Sequence, residues 1–212
     1  PANPLVGEVW YNSTSATVKY FAVLPEAWST GGNMGTIRDK LAGCGTQTAA
    51  LGFGGAPAGP VSNATEEYNG SAWTAGGNLG NARSDGAGCG TQTAGLAVSG
   101  KLQPPGLQSA LCEEYDGSSW TAGGSMAAGR KYLAGCGTQT AGLAMAGNVP
   151  PSTTSSEEYN GTSWTTGGTM GTAIAYLAGA GTQTAALSFG GGNPLQQQPK
   201  NMMVHLGQLV EL

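Results

Sequence analysis

The apolar positions of the chain fall into a short rhythm that is repeated four times. After each Gly-Thr-Gln-Thr phrase, large side chains alternate with small ones: Leu51 and Phe53, Leu96 and Val98, Leu143 and Met145, Leu187 and Phe189. A period of two predicts a strand that packs one face against a neighbour. Each run ends at a glycine, at Gly55, Gly100, Gly147 and Gly191. Ahead of it lies a strand of small residues, Leu41–Gly45 in the first copy. Such a strand suits a crowded place where glycine permits close backbone approach. A variable loop of Pro, Ser and Asn comes next, then a Glu-Glu-Tyr strand. Asn69-Gly70, Asp116-Gly117 and Asn160-Gly161 follow it. Asn-Gly and Asp-Gly favour the two-residue type I′ turn. Tyr68 and Trp73 are therefore expected on adjacent strands of one hairpin, where an aromatic pair contributes about 0.2–1 kcal/mol.

The rhythm is a true repeat. Gly45-Thr46-Gln47-Thr48-Ala49 returns at Gly90, Gly137 and Gly181, at spacings of 45, 47 and 44 residues. Trp-x-x-Gly-Gly at Trp28, Trp73, Trp120 and Trp164 moves in step with it. A period of this length with four strands per unit predicts propeller blades, which run to about 40–50 residues. Three complete units lie between two halves. Joining residues 17–30 to residues 177–191 would make a fourth, composite blade. The expectation is an all-β, four-bladed propeller whose last blade is closed by strands from both termini. It is divided into an N-terminal arm (1–16), the propeller (17–192) and a C-terminal strand tail (193–212). Glu8–Asn12 and Met202–Leu212 are left over, apolar and strand-like, and an open apolar strand invites pairing with another edge. They are expected either to dock onto other subunits or to pad the composite blade of their own chain.

The order glycine pair, Tyr, Trp, with Arg38, Arg83 and Arg130 opening the next inner strand, resembles the kelch repeat over about residues 17–192. The pair is intact at Gly54-Gly55 and Gly190-Gly191 but is Ser99-Gly100 and Ala146-Gly147 in the middle copies, and Ile174 stands where the fourth arginine would be. The phrases Glu-Glu-Tyr-Asn-Gly-x-x-Trp-Thr and Leu-Ala-Gly-x-Gly-Thr-Gln-Thr-Ala are similar to kelch-like repeats of phage virion proteins, especially from marine phages. Gly7-Glu8-Val9-Trp10-Tyr11-Asn12 with Val18-Lys19-Tyr20 is similar to a short hairpin of phage fibre and structural proteins. The resemblance implies a virion structural protein: a tail-fibre, tail-associated or capsid-decoration component of the extracellular particle. Its implied partners are other virion proteins or copies of itself, and a host-surface glycan or receptor.

Composition narrows the function. The 212 residues include 38 Gly and 11 Pro, and only 9% are charged. That much glycine would suggest disorder, but here it recurs at fixed places between apolar residues. The net charge is −4 and the eight Lys and Arg are scattered. A nucleic-acid partner would need a basic stripe that displaces counterions, and none is present. No apolar run approaches the ~18 residues of a membrane helix. Beginning at Pro1, the chain is expected to be processed, trimmed or a piece of something longer.

Candidate chemistry is sparse. His205 is the only histidine, so no catalytic triad, two-histidine metal site or paired histidine base is expected, and in a terminal apolar strand His205 is expected to be a structural or edge residue. Copper radical oxidases share the kelch fold but need several His, Tyr and Cys ligands together. Cys44, Cys89 and Cys136 hold one repeat position, with Ala180 in the fourth copy. They are expected to be reduced small apolar filler near the axis rather than metal ligands or a disulfide pair. Cys112 stands where Thr65 and Ser156 stand in the other copies. The Glu-Glu pairs (Glu66, Glu67; Glu113, Glu114; Glu157, Glu158) are expected to form a solvated acidic rim, because they lie on separate blades and cannot converge as a glycosidase pair must. The three arginines are expected to make structural hydrogen bonds to the loops of neighbouring blades rather than to contact a ligand. No catalytic, cofactor or metal residue is assigned, and no enzyme is expected. The loops Ala56–Ser62, Lys101–Ser109, Asn148–Ser155 and Gly192–Lys200 differ most between copies, as display surfaces do over a fixed scaffold. A secreted or surface lectin-like module is the alternative, but it would place aromatic residues on those loops, which carry none.

Overall fold

A computed structural model describes residues 9–12, 17–20, 30–57, 59–103, 107–192 and 203–206. The described residues are all-β, without a helix. Residues 1–31 and 32–212 form two units. In the first, β1 (Val9–Asn12) pairs antiparallel with β2 (Thr17–Tyr20), Trp10 opposite Lys19. This is the expected hairpin.

In the second unit each repeat forms its own antiparallel sheet. The first contains β3 (Ala42–Thr46), β4 (Ala49–Phe53), β5 (Thr65–Tyr68) and β6 (Trp73–Ala75). After the short strand β7 (Arg83–Ser84), the second contains β8 (Ala87–Gly90), β9 (Gly95–Val98), β11 (Cys112–Tyr115) and β12 (Trp120–Ala122), while β10 (Lys101–Leu102) pairs with β7. The third contains β13 (Ala134–Gly137), β14 (Gly142–Met145), β15 (Ser155–Tyr159) and β16 (Trp164–Thr169). The fourth contains β17 (Ala175–Gly181), β18 (Ala185–Gly192) and β19 (Met203–Leu206).

Three apolar clusters lie between successive sheets. Leu51 and Phe53 meet Ala97, Tyr115 and Trp120. Leu96 and Val98 meet Ala144 and Tyr159, and Leu143 and Met145 meet Ala186 and Leu177. The large residues of each second strand thus point at the next sheet. The central strands β9 and β14 are buried throughout, because their small residues receive the preceding sheet on the opposite face. Removing that much apolar surface from water is the main term holding the sheets together.

Two turn expectations separate. Tyr68 does face Trp73, as Tyr115 faces Trp120 and Tyr159 faces Trp164, with the rings of the first pair 5.0 Å apart. The connection, however, is a four-residue loop and not the two-residue turn. Asn69 Oδ1 accepts from the amides of Ser71 and Ala72 at 3.0 and 2.9 Å, so the side chain replaces a strand partner and lengthens the turn. Asp116 does the same in the second copy, and the amides of Ser119 and Ser118 hold its carboxylate down to about 2.

The composite blade is corrected. The free edge of β18 is occupied by β19, with Ala186 opposite His205, Leu187 opposite Val204 and Ser188 opposite Met203. Residues 17–20 pair instead with residues 9–12; Trp28 lies outside the described residues. Residues 203–206 therefore complete a sheet of their own chain. The fourth repeat also lacks the arginine. In the third sheet Ala144 faces Glu157, whose partner is Arg130. Ser188 is the counterpart of Ala144, so Met203 holds the glutamate's place while Ile174 holds the arginine's. Both halves of an ion pair are replaced by apolar residues at once. Ring closure was also expected, yet no hydrogen bond joins the first sheet to the fourth among the described residues.

Candidate functional site: the contact between successive repeats

The arginines and first glutamates form a buried device inside each complete repeat, so the arginines bind loops of their own sheet and not those of a neighbouring one. Arg38 Nη2 donates to Glu66 Oε1 at 2.8 Å, and its Nη1 donates to the carbonyls of Gly54 and Ala64 at 3.0 and 2.6 Å. Arg83 pairs with Glu113 and the carbonyls of Ser99 and Leu111. Arg130 pairs with Glu157 and the carbonyls of Ala146 and Ser155. Each glutamate also accepts a backbone amide from the loop leading into the repeat: Gly35, Gly80 or Ala127. For these three carboxylates the solvated rim is overturned; Glu66, Glu113 and Glu157 are only 4–6% exposed. A buried carboxylate persists when a cation and fixed donors replace its water. The loops held by each arginine leave the strand through the glycine pair, whose first position keeps a left-handed φ even as Ser99 (58°) and Ala146 (53°). Ser99 Oγ lies 2.6 and 2.7 Å from the carbonyls of Ser109 and Arg130, which share its one proton, and it accepts from the Arg130 amide.

The second glutamates link one repeat to the next. Tyr115 Oη donates to Glu67 Oε1 at 2.5 Å, and Tyr159 Oη donates to Glu114. Burial, with the neighbouring carboxylate adding to it, pushes both phenols up to about 12. The glutamine of the second, third and fourth Gly-Thr-Gln-Thr turns also reaches back. Gln92 Nε2 donates to the carbonyls of Ala50 and Tyr68 at 3.0 and 2.8 Å; Gln139 repeats this to Gly95 and Tyr115, and Gln183 to Gly142 and Tyr159. Sequence reasoning treated this glutamine only as part of a turn. Its presence in all four copies was the available signal, since a turn alone does not require an amide side chain. Backbone bonds complete the contact: Asp85, Tyr132 and Tyr176 N donate to the carbonyls of Lys40, Asp85 and Tyr132, and Gly55, Gly100 and Gly147 N to those of Arg83, Arg130 and Ile174.

The cysteines lie in the same contact. Cys44, Cys89 and Cys136 Sγ each face the carbonyl of the next turn's threonine, Thr91, Thr138 and Thr182, at 3.4, 3.9 and 3.7 Å. All four thiols are free. Burial pushes Cys44 up to about 12 and Cys112 up to about 11, and raises Cys89 and Cys136 as well, which disfavours the thiolate needed for metal binding or exchange. Cys112 has a visible cost. Trp120 Nε1 donates to Thr65 Oγ1 at 2.9 Å, whereas Trp164 Nε1, facing Cys112 in the next copy, is buried without a partner.

The variable loops share one anchor. Ser62, Ser109 and Thr153 N donate back to the carbonyls of Gly55, Gly100 and Gly147 at 2.8, 2.8 and 2.9 Å. Loops of different length and sequence thus close over the same bond. His205 lies in β19 at the register position that Tyr159 holds in the third sheet. No group of three or more His, Cys, Asp or Glu suited to a metal occurs among the described residues. No family model matches the chain, and no curated protein matches it.

Proposed function

We propose that the chain is a non-enzymatic, kelch-like propeller module of a phage virion, a tail-fibre, tail-associated or capsid-decoration component that presents variable loops from a rigid scaffold. The observation that carries this reading is the common loop anchor. Three loops with unrelated sequences start and end on the same glycine carbonyl, so their tips are free to vary without disturbing the sheets beneath. The buried acid–base groups support a structural role, since Glu66, Glu113 and Glu157 are held by arginines within the fold. The virion setting rests on the resemblance of the repeat phrases, and its partners are other virion proteins, further copies, and a host-surface glycan or receptor at the loops. A mass-spectrometric inventory of purified phage particles tests it. Peptides of this chain present in stoichiometric amounts are expected; their absence from the particle, with the chain found only in the lysate, contradicts it.

A further inference from the structure

We propose that this chain completes its repeats head to tail with a second copy of itself, two copies forming one ring of eight sheets. The inference rests on the propeller reading and extends it. The observation behind it is that each end of the repeat series carries one unused half of the contact that the chain makes three times internally. On the leading side Gln47 is exposed, while Gln92, Gln139 and Gln183 are half-buried on the carbonyls they bind. Ile37, 94% exposed, holds the repeat position of Gly129, which lies against the backbone of Gln108 and Ser109 in the preceding repeat. Tyr68 is half-buried where Tyr115 and Tyr159 are fully buried on a glutamate of the preceding repeat.

The trailing side shows the complement. Leu187 is half-buried and Phe189 is 41% exposed, whereas their counterparts Leu51, Phe53, Leu96, Val98, Leu143 and Met145 are at most 3% exposed. A Cβ at Gly88 would meet the Phe53 ring at 2.8 Å, and one at Gly179 would meet Met145 at 3.1 Å. At Gly43 the nearest atoms all belong to its own sheet. That glycine is vacant for a Phe189, and both surfaces are apolar, as the internal contacts are.

Repeating the internal pattern fixes the bonds. Gln47 Nε2 of one copy donates to the carbonyls of Ala186 and His205 of the other, the counterparts of Gly142 and Tyr159. Lys40 N donates to the Tyr176 carbonyl, continuing the series at Asp85, Tyr132 and Tyr176. Among the described residues both halves are open within one chain, so a second copy supplies the complement. A head-to-tail contact closes when its rotation divides the full turn, and eight sheets lie within the four-to-eight range of propellers.

Light scattering of the purified chain tests this, with small-angle scattering on the same sample. The expected mass is twice 21.1 kDa, and Phe189→Asp and Ile37→Asp each give a monomer that still melts in one cooperative transition, at a lower temperature than the dimer. A dimer that survives both substitutions overturns the inference. A monomeric wild-type chain whose scattering fits a closed four-sheet ring also overturns it but leaves the propeller reading standing. A monomer that fits an open series of sheets overturns both.

Discussion

The third repeat and the fourth fill one equivalent position differently, and the difference separates what the fold requires from what it tolerates. In the third, Arg130 and Glu157 are buried together, 1% and 4% exposed, and bind three further backbone groups between them. In the fourth, Ile174 is buried instead, and Met203 holds the glutamate's register position. Both sheets form. The ion pair is thus one of two solutions to the same site, and what the site excludes is half of either. Removing one charge should have the largest effect: Arg130→Ala is expected to cost about 3–5 kcal/mol, because Glu157 is left buried and unpaired. Arg130→Ile with Glu157→Met, copying the fourth repeat, should recover most of that loss in urea unfolding. A double variant as unstable as the single one would show that the two repeats are not alternatives.

The inter-repeat tyrosines extend the comparison to pH. The fourth repeat has His205 at the tyrosine's register position, so the inter-repeat phenols raised to about 12 from an ordinary value of 10 are those of Tyr115 and Tyr159, while Tyr132, raised to about 12 by burial and by Asp85, adds a share that their replacement leaves in place. A group whose folded value is raised contributes stability that is full below the unfolded value and disappears as pH climbs through the folded one. Stability should therefore fall between pH 10 and 12. Tyr115→Phe with Tyr159→Phe should flatten that fall while lowering stability at pH 7. A pH profile unchanged in the double variant would remove the tyrosines as its cause.

Glutamine sharpens the contrast between the middle of the series and its leading end. Gln139→Ala loses two hydrogen bonds to buried carbonyls and should cost about 1–3 kcal/mol. Gln47→Ala, measured in the Phe189→Asp background, should fall within ~0.5 kcal/mol of that background, as ordinary surface substitutions do. Equal costs would mean that Gln47 has a partner in its own chain. A smaller gain is expected at Cys112→Thr, which supplies Trp164 Nε1 with the acceptor that Thr65 gives Trp120, worth about 0.5–1.5 kcal/mol. The smallest effect belongs to the cysteine positions. Because the fourth repeat folds with Ala180 there, replacing Cys44, Cys89 and Cys136 by Ala should cost ~1 kcal/mol or less at each position, the scale of one buried methylene-sized group.

The strands, their order and the Tyr–Trp hairpins were legible in the sequence because each depends on residues a few positions apart. The fate of Glu66 was not. Its burial depends on Arg38, 28 residues earlier, and on the Gly35 amide in the loop before that, so no local pattern distinguishes it from Glu67 beside it. The place of Met203–Leu206 was equally hidden. An apolar terminal strand specifies only that it must pair, so the sequence left docking on another subunit and padding its own chain both open, and the edge of β18 decides for its own chain. The candidate interface was half legible: its cysteines and large residues stood out, while Gln92, Gln139 and Gln183 were concealed inside a turn motif.

Amide hydrogen exchange at four equivalent residues tests the central claim, that one contact between repeats is made three times in the chain and left half-made at its ends. In the Phe189→Asp chain, the amides of Asp85, Tyr132 and Tyr176 should be strongly protected and that of Lys40 should exchange fast. In the wild-type chain all four should be protected, because the second copy supplies the missing carbonyl. Fast exchange at Asp85, Tyr132 and Tyr176 in both proteins would contradict the account, since the repeats would then not be joined in the way described.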